Sequence, residues 1–213
     1  MRHLVKHLWE TNQAEIIARS RRNCHVRGLH SVMLSECPGK TIRLFVADWN
    51  HELYHNTLAY DRSPLSMAVH PHHCPITLVC TLGFFVNQDA YIVKDCLRAI
   101  HFWPEFQQFI FDSKLKGGTG GFVPGEPEPH RYQPNTRKVS AGGSLHMTPK
   151  QLHTVYVPRE ERAAWFVFEG PSDPDYKPIC YSNRDLTQFS PEGLYEQPEE
   201  KEIRRWLEIA GML

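Results

Sequence analysis

The sequence predicts a mainly β fold with one helix at each end of the chain. Three observations carry that expectation. Short runs rich in β-branched and aromatic residues recur from about Leu29 to Tyr181, punctuated by Gly, Pro and charged turns. The first twenty residues and residues 198–211 instead space their apolar side chains at helical intervals. At 213 residues the chain can bury one sizeable core, so a single domain over 1–213 is expected, its β-rich part at about 29–182.

The N-terminal segment sets Leu4, Leu8, Trp9 and Ile16 near helical spacing. The basic stretch Arg19-Ser-Arg-Arg-Asn-Cys-His-Val-Arg27 follows. With zero net charge and no interleaved aromatics, it reads as a solvated connector rather than a nucleic-acid contact. Leu29–Ser35 and Thr41–Ala47 flank the turn Cys37-Pro-Gly-Lys40 and form a hairpin. Leu65–Val69, Ile76–Leu82 and Phe84–Val86 make a second set, broken at Pro75 and Gly83.

Trp103–Phe111 suits a short helix, with Pro104 in its first turn and Phe106, Phe109 and Ile110 on one face. Lys116–Gly143 contains Gly-Gly-Thr-Gly-Gly and Pro-Gly-Glu-Pro-Glu-Pro and shows no periodicity. It is expected to be a long loop and a candidate lid. Thr154–Val157 and Ala163–Phe168 read as strands joined by the charged turn Pro158–Arg162, and Pro178–Tyr181 adds another. In the last helix Pro198 suits the first turn, Ile203, Trp206, Leu207 and Ala210 make one apolar stripe, and Gly211 is the stop.

Composition narrows the function classes. Charged residues are 23% of the chain and balance to zero, so no global field favours nucleic acid or an anionic membrane. No apolar stretch has the length of a membrane span or a signal core, which points to a cytoplasmic protein. The six cysteines (24, 37, 74, 80, 96 and 180) show no CxxC pair and read as reduced thiols. A zinc cluster of Cys24, His25 and Cys74 ranks low, because the spacing matches no standard finger.

Chemistry enters at His70-Pro71-His72-His73. Side chains alternate along an extended strand, so His70 and His72 share a face while His73 points away. A third imidazole, His153, lies in Pro149-Lys-Gln-Leu-His153-Thr-Val. Two imidazoles from one strand and one from another can converge on a cation.

The block Ala68-Val-His70-Pro-His72, closed by Gly83, resembles the first motif of the cupin superfamily. The block Gly143-Ser-Leu-His-Met-Thr-Pro149-Lys-Gln-Leu-His153 resembles the second. The resemblance covers residues 30–170 and implies a double-stranded β-helix barrel with flanking helices. It also implies a divalent transition metal held by His70, His72 and His153: iron(II) first, with Mn, Ni or Zn as alternatives. Three departures stand out. The glutamate usual in the first motif is missing, Ile76 and Thr77 occupying that stretch; the second motif is one residue short; and Pro71 sits between two ligands. Asp48 or Glu52 are the carboxylates at hand, His73 and His146 the substitute ligands, and His51 and His55 read as rim residues. The implied function is an iron(II) oxygenase of a small organic molecule. An isomerase or lyase, or a non-enzymatic ligand-binding cupin with a degenerate site, stand as alternatives. The expected partner is a small-molecule substrate, without nucleic acid or membrane, and a homodimer is allowed.

Overall fold

The computed structural model describes residues 1–24, 28–48, 69–93, 105–112, 121–126, 130–158, 161–176, 179–182, 185–188 and 194–213. Helix α1 (Arg2–Arg19) opens the chain and α2 (Glu200–Ile209) closes it. The strands, numbered in chain order, make two antiparallel sheets. The first runs β1 (Leu29–Cys37), β2 (Lys40–Ala47), β10 (Ala163–Glu169), β3 (Ile76–Leu82), β8 (Ser144–Met147). The second runs β11 (Ile179–Ser182), β5 (Glu105–Asp112), β7 (His130–Ser140), β4 (Phe84–Val93), β9 (His153–Tyr156), with β6 (Gly121–Pro124) paired to β5.

Alternation along β10 explains how the layers form. Ala163, Trp165 and Val167 face the second sheet and pack with Phe45, Cys80 and Phe85. The Trp165 ring stacks on Phe45 at 5.8 Å and meets Phe85 at 5.1 Å. Ala164, Phe166 and Phe168 face the other way, against Val5, Trp9 and Ile16 of α1 and Ile203, Trp206 and Leu207 of α2. A strand apolar on both faces is what burial between two layers requires.

Helix α2 follows the sequence reading. Glu199 and Glu202 form a reciprocal capping box at its start, Ile203, Trp206 and Leu207 are buried, and Gly211 follows with a positive φ of 69°. Arg205 Nη2 reaches Asp48 Oδ2 at 2.7 Å and pins the helix to the end of β2. In α1 the buried set is Val5, Trp9 and Ile16; Leu4 is exposed, a departure from the expected stripe. The basic connector is absorbed by structure, Arg19 pairing with Glu36 and Arg22 with both Glu196 and Glu202.

Two expectations are corrected. The segment expected as a short helix is strand β5, which ladders with β11 and β6. Spacing at 106, 109 and 110 fits a helix, but aromatic residues suit a pleat, and buried Gln108 donates to the Tyr181 hydroxyl at 3.1 Å. Trp103 and Pro104 lie outside the described residues. The expected long loop at 116–143 contains β6 and the whole of β7, which pairs with β4 from Phe84↔Ser140 to Val93↔Arg131. Its polar, Pro-containing sequence hides a strand whose residues 135–138 are exposed.

Gly83 turns the chain from β3 in the first sheet to β4 in the second. Its φ is +61°, and a Cβ there would lie 1.9 Å from the Arg162 carbonyl oxygen, so no other residue fits. Among the described residues no continuous ladder joins the two sheets, and these residues do not close a barrel. Instead, Val69 bridges Tyr181 of β11 and His70 bridges His153 of β9. Residues 65–68 of the expected strand lie outside the described residues. No described helix is long and apolar enough to cross a membrane.

Candidate metal centre

Backbone pairing brings the histidines together. His70 N donates to His153 O at 3.0 Å and His153 N to His70 O at 3.1 Å, so the two residues sit side by side across an antiparallel bridge. Directly paired residues project to the same face. Pro71 has no N–H and cannot extend the ladder. Beyond it, His72 N donates to Pro149 O at 3.0 Å, so the proline of the second sequence block anchors the second histidine of the first.

The three rings form a tight group. Their centroids are 5.1 Å apart for His70 and His72, 5.2 Å for His70 and His153, and 4.7 Å for His72 and His153. One ring nitrogen from each lies within 4.8 Å of the others. His72 Nε2 and His153 Nε2 are 2.6 Å apart. His153 is 2% exposed, whereas His70 and His72 are half-buried, so the group opens on their side. It is the only such cluster of three metal-ligating side chains among the described residues.

The other candidates lie elsewhere. His73, in the bend after His72, stands outside the group and packs on Tyr176. His146 pairs with Thr77 at 3.0 Å in an exposed position. Asp48 is held by Arg205 and Arg162, so it does not supply the missing carboxylate. Glu52, His51, His55 and His25 lie outside the described residues. Burial pushes the Cys24 thiol up to about 12 and the Cys74 thiol to about 11, and neither joins a group of metal-ligating side chains among the described residues.

Three residues that the sequence reading missed complete the surroundings. Asn87 Oδ1 lies 2.6 Å from His153 Nδ1. Asn87 Nδ2 donates to Asp89 Oδ1 at 2.8 Å, and Gln151 Nε2 donates to the same oxygen at 2.9 Å. Asn87 and Asp89 are almost wholly buried. The register explains the grouping, since β4 pairs with β9 with Asp89 opposite His153. One signal was present: Asn87 and Asp89 are two residues apart, on the face that continues from buried Phe85. Ending the strand at Val86 concealed it.

No family model matches the chain, and no curated protein matches it. Among solved structures, it is similar to the hydroxypropylphosphonic acid epoxidase from S. wedmorenis at 10% identity and a TM-score of 0.38, over 72% of this chain and 56% of that one. The chain thus spans about half the length of that enzyme. A likeness this distant leaves the functional reading to the site itself.

Proposed function

We propose that the protein is a metal-dependent enzyme of cupin type, in which His70, His72 and His153 hold one divalent transition metal. The reading goes further to an iron(II) oxygenase acting on a small organic molecule. The observation that carries it is the convergence of one ring nitrogen from each of His70, His72 and His153 to within 4.8 Å of one another. Three imidazoles gathered this closely from two chain segments can face a single cation, and in the metal-free protein a hydrogen bond joins the Nε2 atoms of His72 and His153.

The donor set fits a transition metal. Imidazole suits iron, manganese, nickel and zinc, and three of them without a carboxylate leave open positions for water or substrate. A bound ion would supply Lewis acidity and, as iron, redox chemistry with O₂. The chain does the rest. Buried His153 excludes water from the inner side, and the half-buried rings of His70 and His72 leave a route for a small molecule. Free thiols suit a reducing compartment such as the cytoplasm.

Elemental analysis after reconstitution with iron(II), manganese, nickel or zinc tests the metal. About one ion per chain is expected, and no stoichiometric binding of any of the four would sink the reading. Oxygen uptake by the iron-loaded protein, measured with a panel of small acids, thiols and catechols, tests the oxygenase. Full metal loading without uptake would shift the reading to isomerase or lyase chemistry.

A further inference from the structure

We propose that Asp89 is a positioning residue that fixes the proton on His153 through Asn87, so that His153 presents an unprotonated Nε2 to His70 and His72. The inference rests on the three-histidine metal reading for its purpose, but its geometry stands independently of any ion.

The proton assignment follows from donors and acceptors. A carboxylate only accepts hydrogen bonds, and two side-chain amides converge on one oxygen of Asp89, from Asn87 at 2.8 Å and Gln151 at 2.9 Å. Asn87 must therefore turn its Nδ2 toward Asp89. Flipping that amide would set two oxygens against each other at 2.8 Å. With Nδ2 committed, Oδ1 is the atom that faces His153 Nδ1 at 2.6 Å, and an oxygen there requires Nδ1 to carry hydrogen. A neutral imidazole carries one ring proton, so Nε2 keeps its lone pair. In the metal-free protein, His72 then supplies the hydrogen between the two Nε2 atoms.

The same chain bears on charge. The cupin resemblance predicts a glutamate ligand that this sequence lacks, and Asp48 is engaged by arginines instead. Asp89 restores a carboxylate two hydrogen bonds away from the ligand nitrogen. A histidine whose distal N–H is held by a polarised acceptor is a more basic metal ligand. Gln151 lies two residues before His153, in the segment that was one residue short of the usual motif, and it holds Asp89 from the β9 side. Burial protects the whole chain from competing water, Asn87 being fully buried and Asp89 2% exposed.

The test is nitrogen NMR on metal-free protein labelled with ¹⁵N-histidine, with His153 signals assigned by their loss in His153→Gln. In the unmodified protein His153 should be the Nδ1–H tautomer. In Asp89→Asn, which keeps the shape but can present an amide nitrogen to Asn87, the Nε2–H form should appear. Zinc affinity, measured by competition with a chelator, should then fall about 10–100-fold. An Nε2–H tautomer in the unmodified protein overturns the proposal even if Asp89→Asn fails to fold, and does so whether or not metal binds. Unchanged tautomer and zinc affinity in a folded Asp89→Leu, which removes the acceptor altogether, also overturn it. An Nδ1–H tautomer that Asp89→Asn scrambles, in a protein that binds no metal, supports the positioning role while removing the metal reading.

Discussion

Strand β10 and strand β4 are both deeply buried, yet they are filled in opposite ways. Both faces of β10 carry hydrocarbon: Ala163, Trp165 and Val167 toward the second sheet, Ala164, Phe166 and Phe168 toward the helices. On β4 the inward face begins the same way with Phe85 and then changes to Asn87 and Asp89, facing His153. Burying a polar group costs stability unless it is hydrogen-bonded, so packing alone favours the β10 solution. The polar row on β4 survives because its members bond one another, and it ends on three converging imidazoles. Hydrocarbon holds the molecule together in one region, and a satisfied polar network backs a histidine cluster in the other.

The largest expected effect separates these two roles. His70→Ala or His153→Ala should reduce metal content from about one ion per chain to near zero, while circular dichroism still reports a folded β protein. The core of β10 and the helices is built from hydrocarbon side chains that these substitutions leave in place. If both variants keep metal at the unmodified stoichiometry, the polar face of β4 is not a metal site and the contrast loses its functional meaning.

Next comes the hydrocarbon side. Leu207 is fully buried between α2 and the first sheet, and truncating such a residue typically costs about 2–5 kcal/mol. Leu207→Ala should lower the urea midpoint accordingly while leaving metal stoichiometry unchanged, and removal of residues 198–213 should lower it further. A metal content that falls with Leu207→Ala under native conditions would show that the two regions are not separable.

These regions differed in how legible they were. The helix stripe Ile203, Trp206, Leu207, the first hairpin and β10 were readable because a local period sets their burial, and their buried residues are mostly apolar, His30 and Ser31 of β1 being the exceptions. The convergence of His70, His72 and His153 was readable from alternation together with the motif order. Asn87, Asp89 and Gln151 were not, because their roles depend on the β4–β9 register, which no local pattern carries. Strands β5 and β7 were lost for a related reason. Phe106, Phe109 and Ile110 satisfy helical spacing as well as a pleat, and β7 is too polar to show a period. Its assignment comes from the partner strand, β4, and not from its own residues.

Buried thiols offer a third, smaller handle on the hydrocarbon region. Burial pushes Cys24 and Cys180 up to about 12 and Cys74 to about 11, from an ordinary value of 9.0. These acids hold their protons more tightly in the folded state than in the unfolded one. Their contribution is therefore fully present below pH 9 and is lost progressively as pH rises toward 11–12, where the unfolded chain ionises and the folded one does not. Urea midpoints should fall over that window, and a Cys24→Ala, Cys180→Ala variant should show a shallower fall. Exposed Cys37 should react with a thiol reagent at pH 8 while Cys24 and Cys180 resist, an ordering read by mass spectrometry of peptides.

The smallest effect compares neighbouring arginines on α2. Arg204 pairs with Glu208 at 3.4 Å, both side chains more than half exposed, in an i,i+4 arrangement. Exposed pairs of this kind contribute about 0–0.5 kcal/mol and are screened by salt. Arg205 instead donates at 2.7 Å to Asp48, whose side chain is 3% exposed at the end of β2. Removing it leaves that carboxylate with the longer Arg162 contact at 3.5 Å, a loss of a charged hydrogen bond worth about 1.5–3 kcal/mol. Arg205→Ala should therefore lower the urea midpoint clearly and Arg204→Ala hardly at all, with added salt erasing what little Arg204 contributes. Equal effects from the two substitutions would mean that α2 is held by its apolar stripe alone and that the Asp48 anchor adds nothing to the helix layer.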